Sequence, residues 1–166
     1  MSPHLIQLRA AWTALQPAPD SPPKTHPGTP LVGFAPTPFP VRFPAPGSVR
    51  LLRYFNTPSR LEPCDRVCLL LSLVGELRGA WLGDSPLEFT PLPVSSLSPA
   101  QRPPATTSQP GQQDWRAELT PLLQRRNPLI LDLASPPHGG PGELALVQAQ
   151  IEIHSPPQNS PGRPTR

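Results

Sequence analysis

Proline decides what this chain can build. It supplies 30 of the 166 residues, and each one removes a backbone donor and disfavours a helix interior or a central strand around it. Regular structure therefore has room mainly where proline is missing: residues 4–16, 47–57, 64–85, 111–120 and 142–155. Glycine, serine and glutamine add to the low-complexity character, and no repeat of fixed period accompanies them. The expected fold is mostly intrinsically disordered and proline-rich. It has isolated α-helical segments over about 3–16 and 63–82 and a weak C-terminal β-hairpin, with no compact globular fold.

The window 64–85 holds the densest apolar run. Pro63 suits a first helical position, where its missing N–H costs nothing, and Asp65 suits the first turn. Val67, Leu70, Leu71, Val74, Leu77, Trp81 and Leu82 then recur at steps of three and four, and Gly83 suits a stop. That spacing predicts a hydrophobic helix with Leu70, Val74, Leu77 and Trp81 as a self-association face. Asp65, Arg66, Glu76 and Arg78 leave too short an apolar stretch to span a bilayer. A membrane reading of 64–85 is thereby confined to an interfacial or re-entrant helix.

Near the N-terminus Leu8, Trp12 and Leu15 fall at i, i+4 and i+7, the spacing by which a short helix anchors in a hydrophobic groove. Leu129–Ala134 and Leu144–His154 read as the two strands of the hairpin. The expected organisation is a short amphipathic helix at 1–16, then a basic proline-rich disordered segment at 17–62. A hydrophobic helix at 63–83, a disordered linker at 84–128, a hairpin at 129–154 and a disordered tail at 155–166 complete it.

The net charge is +3, and the basic excess is concentrated before residue 62, where Asp20 is the single acid. Dense Lys/Arg runs are missing, so specific nucleic-acid binding is not expected. Two cysteines, Cys64 and Cys68, exclude a disulfide-rich scaffold. With four histidines scattered along the chain they make no zinc ligand set. No catalytic signature or nucleotide loop appears, so the chain is expected to be no enzyme and to hold no cofactor or metal. No apolar leader with a cleavage site is visible, which points to the cytoplasm or nucleus.

Short motifs remain. Serine or threonine precedes proline 12 times, against about four expected from composition. At Ser21, Thr57 and Ser160 the pattern extends to Ser/Thr-Pro-x-Lys/Arg, which resembles the site preference of cyclin-dependent kinases. Arg50-Leu51-Leu52-Arg53-Tyr54 resembles their basic docking motif. A phosphate there would add about −1.5 to −2 charges. Pro19, Pro22 and Lys24 have the spacing that SH3-type grooves read in a polyproline ligand. The expected function is a non-enzymatic protein that binds partners through short linear motifs: SH3-type or other proline-reading domains and proline-directed kinases. One alternative is the product of an orphan or overlapping reading frame without a selected molecular function, since Pro, Leu, Arg, Gln and His make up nearly half the chain. The other is a small membrane-associated protein using the 64–85 helix.

Overall fold

The computed structural model describes residues 3–9, 11–16, 18–20, 33–44, 46–93, 111–135 and 143–156. Twelve strands and one 3-10 turn account for their regular structure, and no α-helix occurs among them. The strands are β1 (His4–Gln7), β2 (Trp12–Leu15), β3 (Ala35–Thr37), β4 (Val41–Pro44), β5 (Ser48–Asn56) and β6 (Arg66–Val74). After these come β7 (Glu76–Leu82), β8 (Ser85–Pro86), β9 (Thr90–Leu92), β10 (Gln112–Glu118), β11 (Arg126–Ala134) and β12 (Glu143–His154). The 3-10 turn is Thr120–Leu122.

Two six-stranded antiparallel sheets face each other. Sheet A runs β1-β12-β6-β10-β9, with β4 also pairing with β12; sheet B runs β3-β2-β5-β11-β7-β8. Their inner faces share one apolar core. Val67, Leu69, Leu71 and Leu73 of β6 and Leu144, Leu146, Ala149 and Ile151 of β12 meet Val49 and Leu51 of β5 and Leu129, Leu131 and Leu133 of β11. This arrangement overturns the disordered, low-complexity expectation and both predicted helices. The chain buries a continuous core between two sheets, which offsets the ordering entropy that a proline-rich coil cannot meet.

The helix over 63–82 fails for a specific reason. β6 is bracketed by β12 on one edge and β10 on the other, and residues on both of its faces are buried. A strand buried on both sides reads as a nearly unbroken apolar run, and such a run satisfies helical and strand spacings together. The supposed self-association face is accordingly dispersed. Leu70 and Val74 lie on the outer face of sheet A, whereas Leu77 and Trp81 belong to β7 in sheet B. No helix among the described residues is long and apolar enough to cross a membrane, and the segment taken for a membrane helix is two strands. The C-terminal hairpin fails differently: both segments are strands, but β11 pairs with β5 and β7, and β12 with β1, β4 and β6.

Proline placement explains how the sandwich tolerates so much of it. Pro36, Pro44, Pro86 and Pro91 lie in β3, β4, β8 and β9, all edge strands, where one side of the backbone needs no ladder partner. Pro128 sits in β11 just before pairing with β7 begins at Leu129, and its carbonyl accepts the Gly83 N–H at 2.8 Å. The central strands β5, β6, β10 and β12 contain no proline.

The step between sheets occurs at Gly75. β6 ends at Val74 in sheet A and β7 starts at Glu76 in sheet B, with Gly75 at φ +115°. A Cβ there would stand 2.6 Å from Leu144 Cδ2 and 3.0 Å from the Ala134 carbonyl oxygen. Gly75→Val therefore combines a disallowed backbone with a clash against backbone. Chemical denaturation of that variant should show a loss of roughly 2–5 kcal/mol relative to wild type.

Candidate functional site

Register brings three chemically distinct side chains together on the outer face of sheet B. Asp132 of β11 lies opposite Arg50 of β5 and Gly79 of β7, and Ile130, two residues earlier, lies opposite Trp81. Alternation then puts Arg50, Asp132 and Trp81 on one face. Arg50 Nε donates to Asp132 Oδ1 at 2.7 Å and its Nη2 to Oδ2 at 2.6 Å, a bidentate fork on a carboxylate. Nη2 also donates to the Pro19 carbonyl at 3.3 Å. Both side chains are nearly buried, 6% and 10% exposed. The guanidinium lies 5.7 Å from the centre of the Trp81 ring, within cation–π range. Trp81 folds back over Gly79, where a Cβ would stand 2.4 Å from its Cη2. Beside it opens a recess of about 280 Å³, bounded also by Pro19, Ser48 and the exposed Arg78.

A second cluster lies on the outer face of sheet A. Arg116 Nη2 of β10 contacts Glu152 Oε2 at 3.4 Å, His154 Nε2 at 3.0 Å and Cys68 Sγ at 3.3 Å. His154 Nε2 and Glu152 Oε2 are 2.7 Å apart. Glu152 is nearly buried, while 40% of the Arg116 side chain is exposed. A groove of about 700 Å³ runs beside it, along the open edge of the sandwich near β8, β9 and the 3-10 turn.

Asp65 anchors the start of β6. Its carboxylate accepts the Glu62 N–H at 2.9 Å. That backbone donor first, and then the Ser155 hydroxyl, hold the carboxyl below its ordinary range, against the opposing pull of burial.

The residues singled out from sequence are distributed differently from expectation. Leu8 and Trp12 are 2% and 1% exposed in the core, and the Trp12 indole N–H donates to the Leu8 carbonyl at 2.7 Å. Leu15 is half-buried on β2. The three anchor no partner groove from a helix. Arg53 lies 5.9 Å from the Trp12 ring centre, and burial pushes its pKa down. Arg50, Leu51 and Leu52 are buried, so the kinase-docking resemblance presents no accessible motif. The Thr57 hydroxyl donates to the Gln124 carbonyl and accepts from Asn127 Nδ2 at 3.1 Å, so as a phosphosite it is tied into the fold. Ser21, Ser160, Pro22 and Lys24 lie outside the described residues, and Pro19 serves as the acceptor for Arg50. Cys64 is exposed and Cys68 buried. Among the described residues no group of three or more His, Cys, Asp or Glu side chains is placed to hold a metal.

Sequence reasoning missed the Arg50–Asp132 pair because 82 positions separate its members. The available signal was Asp132 itself, a charge inside Leu129-Ile-Leu-Asp-Leu-Ala134, since a charge within a buried strand requires a partner.

Scans against family models and curated proteins return no match. Solved structures do match in fold. An FMN-binding β-glucuronidase from Faecalibacterium prausnitzii L2-6 superposes with a TM-score of 0.60 at 12% identity, covering 92% of this chain and 22% of that one. A Bifidobacterium dentium β-glucuronidase complexed with coumarin-3-O-glucuronide gives 0.61 at 14% identity, covering 92% and 30%. A β-glucuronidase from an uncultured Clostridium species gives 0.57 at 13%, covering 92% and 29%. At such identities the likeness shows the fold, a β-sandwich, and the chain spans under a third of the length of each structure. Together with the two-sheet core it overturns both the linear-motif protein and the helical membrane protein.

Two outcomes follow for these side chains. Asp132→Ala strands the buried Arg50 charge and should cost roughly 3–5 kcal/mol in chemical denaturation. Combining Arg50→Met with Asp132→Leu should recover most of that loss. For Asp65 the folded pKa is lowered, so its contribution is complete above the ordinary aspartate value of 3.8 and lost as pH falls through the folded value. The stability difference between wild type and Asp65→Asn should be present at neutral pH and shrink progressively as pH falls below the ordinary value of 3.8.

Proposed function

We infer that this chain is a non-catalytic β-sandwich module that binds a pyranose ring in the Trp81 recess. The observation carrying this reading is an indole on the sheet face with the Arg50 guanidinium over its ring and Asp132, which that guanidinium holds, on the wall of the recess. A sugar ring presents C–H faces that pack on an aromatic surface and hydroxyls that hydrogen-bond at the rim, so both halves of the recess match it. The 280 Å³ volume has room for one ring rather than a polymer. The structural neighbours include β-glucuronidases, which supports the same ligand class.

Binding, not hydrolysis, is the proposed activity. Glycoside hydrolysis uses two carboxyl groups flanking the scissile bond. In this recess Asp132 is held bidentately by Arg50, and Asp20, the other acid lining it, is exposed on the connection that follows Pro19.

Titration of the full chain with methyl β-D-glucuronide, methyl β-D-galactoside and methyl β-D-glucoside tests the proposal by calorimetry. At least one should bind saturably, and Trp81→Ala should weaken it roughly tenfold or more. Arg78→Gln should weaken the glucuronide selectively, because the exposed guanidinium faces the carboxylate of that sugar alone. The chain should not hydrolyse a p-nitrophenyl β-D-glucuronide. Absence of saturable binding by all three glycosides, or equal binding by Trp81→Ala, would overturn the assignment.

A further inference from the structure

We propose a second binding site, in the groove on sheet A, for a small zwitterion with an apolar body: an α-ammonium and a carboxylate on one amino-acid-like molecule. The groove shares no lining residue with the Trp81 recess, although Pro86 at its margin pairs with Trp81. Four charged side chains line it, Arg66 and Arg116 against Glu88 and Glu118, over apolar surface from Leu87, Leu92, Ala117 and Leu122. A plain anion or cation would meet as many repelling groups as attracting ones. A ligand carrying both signs meets a complement at each end, and its side chain covers the leucines.

The register fixes this pattern. Glu118 of β10 lies opposite Cys68 of β6, and Cys68 opposite Glu152 of β12. One row along, Arg66 lies opposite His154, so Arg66 and Glu118 project from the same face. Glu88 comes from the connection between β8 and β9.

Arg116 is the positioned group. Its Nη2 is anchored by Glu152, His154 and Cys68, which tethers that end of the guanidinium while the side chain lines the groove. An arginine tethered in this way has given up part of its rotamer freedom before the ligand arrives, which suits it to a carboxylate. The volume of about 700 Å³ has room for one or two amino-acid residues.

The source of the ligand can be a free amino acid or a short peptide, and calorimetry on the full chain separates them. L-leucine and L-leucyl-L-leucine are the zwitterionic probes; N-acetyl-L-leucine removes the ammonium and L-leucinamide the carboxylate. At least one zwitterion should bind saturably, and each capped form should bind roughly tenfold more weakly or worse. Tighter binding of leucine identifies a free amino acid, and tighter binding of the dipeptide identifies a peptide. Arg116→Gln should weaken the zwitterion, and Arg66→Gln, at an exposed position outside the buried cluster, should do so without disturbing the fold. Glu118→Gln should narrow the preference for leucine over its N-acetyl form. Trp81→Ala should leave this binding intact, so failure of the sugar site and failure of this one are distinguishable. No saturable binding of either zwitterion, equal binding of the capped forms, or unchanged selectivity in both Arg66→Gln and Glu118→Gln would overturn the site.

Discussion

A strand is held in its sheet by backbone N–H groups, and proline has none. That constraint organises the molecule from the edges inward. The central strands β5, β6, β10 and β12 are drawn from stretches without proline, and each pairs with a neighbour on both edges. Strands that do contain proline, such as β3, β8 and β9, are two or three residues long and end a sheet. Short edge strands broken by proline offer a poor template to another chain. Composition alone does not put prolines where a sheet can accept them.

Inside that frame, register is fixed by a polar row on the outer face of sheet A. Ser72, Asp114, Gln148 and Gln150 are all nearly or wholly buried. The Ser72 hydroxyl donates to Asp114, Gln112 Nε2 donates to Ser72 Oγ at 2.7 Å, and Gln7 and Gln148 both donate to Gln150 Oε1 at 2.7 and 2.8 Å. A slip of one residue in β6 would put Ser72 into the core and a leucine among the amides. Buried polar groups tolerate no such exchange, because each unmade hydrogen bond costs more than a made one contributes. The leucines of β6 supply cohesion on both faces; the amides specify which face is which.

The location of structure was legible only in part and its type was not: β3, β4 and β5 lie within 17–62, and β8, β9 and β10 within 84–128, both expected to be disordered. Each of the longer proline-free windows contains strands: 47–57 holds β5, 64–85 holds β6 and β7, 111–120 holds β10 and 142–155 holds β12. The error at 64–85 came from Leu69-Leu70-Leu71, which fits every period because β6 is covered on both sides. Gly75, inside the expected helix, is the step between sheets. Trp81 was picked out for its place on a helical face that does not exist, and belongs to a recess whose other members come from β5, β7, β11 and the segment after β2. The cluster around Arg116 draws on β6, β10 and β12, strands far apart in the chain that meet only when sheet A pairs. No local pattern announces such a site.

The Arg50–Asp132 pair shows why the recess has the shape it has. Replacing a buried ion pair by well-packed apolar residues is often neutral or stabilising, because desolvation offsets most of the attraction. Net stability is therefore a poor reason for this pair to occupy the face of sheet B. Its consequence is geometric: the fork on Asp132 fixes the guanidinium plane, which then reaches the Pro19 carbonyl on one side and the Trp81 ring on the other. Removing the charges while keeping the volume would keep the sandwich and lose the positioned rim of the recess. Stability and ligand recognition are thereby separable at this one position, which makes the doubly apolar variant the sharper probe of what the pair is for.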